Sequence, residues 1–167
     1  MTRVADPNQV EGAETAPFYE RIALEAMSPS QWESLCDGCG RCCLIRLEDD
    51  ETGATLETCV ACKLLDPATG RCSDYANRFA RVPGCLQMTP ERARRLSWLP
   101  ETCGYRLVAR GEPLPDWHPL RCGDPDRVHE VGVGVAGQVV SERDVHDDDL
   151  ELFVTDRLDD GDFGGGA

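Results

Sequence analysis

The sequence predicts a small, irregular α+β domain of short helices and one β-hairpin, with disordered polar termini. Three observations lead there. Aromatic residues make up 6% of the 167-residue chain, against 16 Gly and 11 Pro, so large core side chains are scarce. Helical or alternating apolar patterns run only in short windows between Gly and Pro breaks. There are ten cysteines, four of them in the eight residues Cys36-Asp37-Gly38-Cys39-Gly40-Arg41-Cys42-Cys43. In a core this thin, cross-links or metal must supply part of the cohesion, so the domain is expected to be metal-stabilised.

Residues 1–16 are small and polar with no period and read as a disordered arm. Phe18, Ile22, and Ala26 or Met27 recur at helical spacing and predict a short amphipathic helix. Ser28-Pro29-Ser30-Gln31 then starts a second one. Ser28 caps it, Pro29 suits its first turn, and Gln31 completes a capping box. Trp32 and Leu35 face inward, and the helix delivers Cys36 rigidly. Leu44–Leu47 reads as a strand, Asp49–Gly53 as a turn, and Ala54–Val60 as the return strand with Leu56 on its alternating face. That hairpin carries Cys59 and Cys62 back toward the first cysteines. The turn Asp66–Gly70 reverses the chain before Cys72.

One or two helical turns are expected over Asp74–Phe79, and a break at Pro83-Gly84 precedes Cys85. Thr89 caps a helix reaching Leu96. Cys103 opens a helical stretch over Tyr105–Ala109. Pro113, Pro115 and Pro119 impose an extended path around Trp117 and His118. Past Cys122 the composition shifts. Val131, Val133 and Val135, followed by Val139-Val140, predict one weak strand. From Ser141 onward there are ten acids against Arg143 and Arg157. The expected organisation is therefore an arm over 1–16, a cysteine-cluster domain over 17–125, and a weak strand with an acidic flexible tail over 126–167.

The four clustered thiols set the chemistry. The x-x gaps let successive sulfurs turn toward one centre, and Gly38 and Gly40 give the backbone the freedom for a tight knuckle. C-x-x-C is half of a zinc ribbon. The run C-x-x-C-x-x-C also begins a bacterial ferredoxin-type iron–sulfur site. Adjacent Cys42 and Cys43 point to opposite sides of an extended backbone, which suits two neighbouring metals better than one. The later thiols are Cys59, Cys62, Cys72, Cys85, Cys103 and Cys122. Ten exceeds what two four-thiol sites need, so at least two are spare. The N-terminus has no signal-peptide run, and no stretch approaches the roughly 20 apolar residues of a membrane span. A cytoplasmic location is expected. Thiols there stay reduced, which favours metal ligation over disulfides.

The net charge is −14, and Lys63 is the single lysine beside 16 arginines. Nucleic acid and anionic membrane are excluded as non-specific partners, because like charge repels. A zinc in four thiolates adds a formal charge of about −2. Arg41, Arg46, Arg71 and Arg106 are near enough in sequence to offset it. No nucleophile elbow, phosphate loop, dinucleotide fingerprint or helical histidine pair is present, so no standard enzyme class is indicated. His118 reads as a histidine satisfied by a backbone hydrogen bond rather than a ligand or base. His129 and His146 read as surface groups, and Asp37 as an acceptor for turn amides. Arg92, Arg94 and Arg95 form a small basic patch on a solvated face.

The motifs run in order along the chain. They are Glu33–Cys43, Val60-Ala61-Cys62, Arg71–Phe79, Pro83-Gly84-Cys85, Trp98-Leu99-Pro100, Thr102–Leu107 and Asp116–Leu120. In these the segment from Phe18 to Pro119 resembles the YcgN-like proteins of the CxxCxxCC family of zinc- or iron-chelating domains. The resemblance implies eight metal-binding cysteines: Cys36, Cys39, Cys42, Cys43, Cys62, Cys72, Cys85 and Cys103. Cys59 and Cys122 fall outside that pattern, and so does the acidic tail. Similar cysteine patterns occur in flagellin lysine N-methylases, where an iron–sulfur cluster has been inferred.

The expected function is therefore a cytosolic protein that coordinates zinc or iron, or an iron–sulfur cluster, through clustered thiolates. Tyr75 and Arg78 serve packing and charge offset beside them. Two alternatives are an iron–sulfur redox or accessory subunit of an enzyme, and a metal-handling chaperone.

Overall fold

The computed structural model describes residues 16–155. The expected arm, apart from Ala16, and the last twelve residues lie outside the described residues. The chain opens with α1 (Phe18–Arg21), extends through Ile22 and Ala23, and turns again in a 3-10 helix over Leu24–Ala26. The single amphipathic helix expected here is therefore two separate turns. The break buries Leu24 instead of Ile22, while Phe18 and Met27 still pack on the core around Leu35.

Helix α2 (Pro29–Ser34) follows with the full capping box. The Gln31 amide donates to Ser28 Oγ at 3.2 Å, and the Ser28 amide donates to Gln31 Oε1 at 2.9 Å. Such a cap is worth about 1 kcal/mol. Trp32 packs against Tyr105 with ring centroids 4.7 Å apart and planes tilted by 46°, and donates its indole N–H to the Met88 carbonyl at 3.0 Å. Leu35 is fully buried.

The hairpin forms as β1 (Leu44–Glu48) and β2 (Thr55–Ala61), antiparallel, with an irregular register between Leu44 and Arg46. Asp49 sets its turn by accepting the Glu51 and Thr52 amides at 2.9 and 2.8 Å. Two-residue strands β3 (Leu65–Asp66) and β4 (Arg71–Cys72) make a second, smaller hairpin around the expected Asp66–Gly70 turn. A 3-10 turn over Tyr75–Asn77 and α3 (Arg78–Arg81) come next. Then α4 (Pro90–Arg95) is capped by Thr89, and α5 (Gly104–Ala109) begins just past Cys103.

The proline-rich stretch runs without regular structure to Pro115 and then turns over Asp116 and Trp117 into His118, whose amide donates to the Pro115 carbonyl at 2.9 Å. His118 caps α6 (Pro119–Cys122), with Pro119 in the first turn where its missing N–H costs nothing. The weak strand expected over 131–140 is not formed as such. Residues 127–130 are helical (α7, Arg127–Glu130), 131–139 are irregular, and only β5 (Val140–Ser141) is extended, parallel to β2. The alternating valines nonetheless mark buried positions. Val133 and Val135 pack inward together with Val128, and the Val135 amide donates to the Cys39 carbonyl at 2.9 Å. Residues 126–155 are thus part of the same interior. The described residues close with 3-10 turns over Glu142–Asp144 and Asp147–Phe153, and the Thr155 amide donates to the Glu57 carbonyl at 2.8 Å.

With β1 on one edge and β5 on the other, β2 is central, and Glu57, Thr58, Val60 and Ala61 are all buried. Burial on both faces explains why Leu56 does not mark a single inner side. Glu57, with no exposed surface, lies between Arg41 (3.4 Å) and Arg46 (3.6 Å). A buried carboxylate needs such pairing. The Arg46 guanidinium also lies 3.8 Å above the Trp98 ring.

Apolar packing is split among three small clusters, around Leu44, Leu35 and Cys39. Where regular structure is lacking, arginines reach backbone carbonyls. Arg46 donates to the carbonyls of Arg41 and Leu44, Arg106 to those of Ser97 and Leu99, Arg121 to Leu114, Arg78 to Tyr75, Arg92 to Gln87, and Arg21 to Ala16.

Candidate metal centre

Residues 36–43 fold as the knuckle their spacing predicts. Gly38 and Gly40 take φ of 77° and 78°, and a Cβ on Gly40 would sit 2.7 Å from Val135 Cγ2. Arg41–Cys43 then turn in a 3-10 helix. This corrects the expectation of an extended backbone that sends Cys42 and Cys43 to opposite sides. Both residues line the same cavity instead.

The hairpin returns Cys62, whose amide donates to the Cys43 carbonyl at 2.9 Å. Strand β4 carries Cys72, the turn after α3 carries Cys85, and Cys103 stands at the mouth of α5. Cys36, Cys39, Cys42, Cys43, Cys62, Cys72, Cys85 and Cys103 all line one cavity of about 740 Å³, and Cys59 and Cys122 do not. Cys36 and Cys42 have exposed surface, but that surface faces into this cavity.

The walls set the electrostatics. Burial pushes the thiols of Cys36, Cys39 and Cys85 up, and that of Cys103 up to about 12. The adjacent Cys42 sulfur, and then burial, push Cys43 up, while the Cys43 thiol and then Arg46 hold Cys42 down. The amides of Gly38 and Arg41, each two residues on, favour ionised sulfur at Cys36 and Cys39. Asp37 accepts the Cys39 amide on Oδ1 at 2.9 Å, while its buried Oδ2 has no hydrogen-bond partner. Burial raises that carboxyl too.

So many acidic groups cannot ionise together in a low-dielectric wall without a cation. Among the described residues, no three His, Cys, Asp or Glu side chains are closed around a point as a metal shell. The donor set nonetheless fits a thiophilic cation. Eight sulfurs face one void, with an unpartnered carboxylate oxygen at its edge.

Of the four arginines expected to offset thiolate charge, only Arg46 lines the cavity, and Arg78 joins it. Arg41 is taken up by Glu57, Arg71 by Asp126, and Arg106 by Glu101 and backbone carbonyls. Arg78 is stacked on Tyr75 and Phe79, at 3.7 and 4.2 Å.

His118 is fully buried. Its Nδ1 accepts the Leu120 amide at 3.1 Å, so Nε2 carries the proton and donates to the Leu35 carbonyl at 3.0 Å. Neither nitrogen is left for a metal. His146 is exposed, as expected. His129 is not a surface group. Its ring is half-buried against Gly70 and Gly134, with Nδ1 accepting the Ala136 amide at 3.3 Å. Nothing in its immediate sequence signals this, because Gly70 comes from a remote hairpin.

A family model whose description is "Putative zinc- or iron-chelating domain" (CxxCxxCC) matches residues 35–104. The chain is also similar to a UPF0260 protein of Pseudomonas putida KT2440, 56% identical over 83% of this chain and 93% of that protein. A UPF0260 protein of Rhizorhabdus wittichii RW1 is 54% identical over 84% of this chain and 95% of its own length. One from Azotobacter vinelandii is 53% identical over 83% and 93%. No solved structure matches the chain.

Proposed function

Because this chain belongs to the UPF0260 family and carries its CxxCxxCC metal-chelating domain, we propose that it is a cytoplasmic protein that holds zinc or iron through the eight thiols of the cavity. One observation carries this reading. The eight cysteines of the motif, and neither of the other two, line a single void. The bound metal supplies cohesion that the three small apolar clusters do not. A structural zinc contributes an apparent ~10–16 kcal/mol, comparable to the net stability of a whole domain. Arg46 and Arg78 take up charge from the thiolates, and His118 holds the backbone that leads into Cys36.

An iron–sulfur centre, in a redox protein or an accessory subunit of an enzyme, is the second reading. It is favoured by a cavity of about 740 Å³, roomier than lone cations require and wide enough for bridging sulfides. No helix among the described residues is long and apolar enough to cross a membrane.

Anaerobic purification followed by metal and acid-labile sulfide analysis tests the proposal. Colourless protein with zinc supports the first reading, and coloured protein with iron and sulfide supports the second. Protein that takes up neither metal when its thiols are reduced overturns both.

A further inference from the structure

Resting on that reading, we propose that the eight sulfurs form two adjoining metal centres of fixed membership. Cys36, Cys39, Cys42 and Cys103 make one, and Cys43, Cys62, Cys72 and Cys85 make the other. The knuckle supplies three sulfurs of the first centre, and the backbone identifies the fourth. A Cβ on Gly104 would overlap the Leu35 carbonyl oxygen and lie 2.8 Å from His118 Nε2. Leu35 is bonded to Cys36 and Gly104 to Cys103, so direct backbone contact sets these two cysteines side by side. The His118 ring locks the contact by donating to the same Leu35 carbonyl. Whatever the metal, Cys103 is thus the remote ligand that the run Cys36-x-x-Cys39-x-x-Cys42 requires.

Three members of the second set, Cys43, Cys62 and Cys72, lie on one continuous backbone network, and Cys85 is the sulfur of the cavity left to complete it. The β1–β2 ladder pairs Leu44 with Ala61, and the Cys62 amide extends it to the Cys43 carbonyl at 2.9 Å. The Leu65 amide donates to the Cys62 carbonyl at 2.9 Å, and Leu65 pairs with Cys72 across β3–β4. Cys42 and Cys43, adjacent in the chain, fall in different sets, so the peptide between them is the seam where the centres meet.

Metal counts in pairs of variants test the assignment, after dialysis against a weak chelator. Cys103→Ser and Cys72→Ser are each expected to halve the wild-type content. Cys36→Ser combined with Cys103→Ser should still leave half, and Cys72→Ser combined with Cys103→Ser should leave none. A Cys36/Cys103 double variant stripped of all metal, or a Cys72/Cys103 double variant that keeps half, overturns the membership. A second measurement needs no variant. Wild-type protein is given half the zinc it takes up and alkylated, and chains that keep four protected sulfurs are isolated by mass and mapped. Protection of one or the other set supports the assignment. A mixed set, or the absence of half-protected chains, overturns it. Wild-type protein that takes up no metal overturns the parent reading instead.

Discussion

The knuckle side of the thiol cavity and its ribbon side are built from opposite materials. The knuckle hangs from a fully capped helix, a buried Leu35, a buried histidine and a glycine in backbone contact. The ribbon side, with Cys43, Cys62, Cys72 and Cys85, joins the end of the β1–β2 ladder to two-residue strands, a 3-10 turn and α3, and its Tyr75 and Phe79 are 50% and 40% exposed. A side-chain latch closes it. The Tyr75 hydroxyl donates to Glu33, and Arg78 lies 3.9 Å from the same carboxylate. The charges differ as well, with the carboxyl of Asp37 beside the knuckle sulfurs and the guanidinium of Arg78 beside Cys85. Both sides are anchored in framework, but exposed side-chain contacts close the ribbon side alone, so metal is expected to persist longer at the knuckle.

Five experiments break or sharpen that contrast. Removing all metal with a strong chelator has the largest effect, because it removes what both sides share. Native dichroism and the cooperative melt are expected to disappear, and a chelated sample that kept them would show the apolar clusters sufficient. Gly104→Ala comes next. It drives a methyl into the Leu35 carbonyl and is expected to cost about 3 kcal/mol, read by denaturant unfolding of the loaded protein. Thiol protection should fail at Cys36 and Cys103 before Cys62 and Cys72. Simultaneous failure would mean that the two sides are one unit.

Asp37→Asn keeps an oxygen for the Cys39 amide but removes the charge. Metal retention on the knuckle side is expected to weaken about tenfold, the scale of a lost neighbour to a metal ligand. An unchanged chelator competition would reduce Asp37 to a turn residue. Tyr75→Phe opens the latch and should cost about 0.5–1 kcal/mol. It is expected to speed metal release from the ribbon side alone, followed by a chromogenic chelator.

The smallest effect is that of pH. Burial, and then Arg71, hold the His129 imidazole below its ordinary value. An unfolded chain therefore binds more protons than the folded one as pH falls from about 6.5. Stability present above that pH is lost below it. Protection of the Ala136 amide, whose acceptor is His129, taken relative to its intrinsic exchange rate at each pH, should fall on acidification and stay flat in His129→Gln.

How much of this was legible in the sequence depended on how local each signal was. The capping box at Ser28, the Asp49 turn, the Thr89 cap and the knuckle glycines are written within four or five residues, and all formed. The break at Ile22 was not, because it answers to the burial of Leu24 against other elements. Alternating valines at 131–135 correctly marked buried positions but not a strand. With glycines between them, they had no neighbouring ladder to join until β5 reached β2. The ligand inventory was legible as residue types. That Gly104 abuts the Leu35 carbonyl was not, since it joins the end of α2 to the start of α5 through a contact that a Cβ would block. The ring of His129 against Gly70 was hidden for the same reason.

The arginine-to-carbonyl contacts have a consequence for composition. A chain with so little ladder and so few helical turns leaves many peptide oxygens without an amide to face. A guanidinium, planar and with five donors, bridges two such oxygens and still stacks on an indole, as Arg46 does between Arg41, Leu44 and Trp98. An ammonium group is a compact, heavily hydrated point and lacks that fork. Six of the sixteen arginines are tied to the scaffolding in this way, and exchanging these six staples for lysine would leave net charge untouched while loosening the loops they pin.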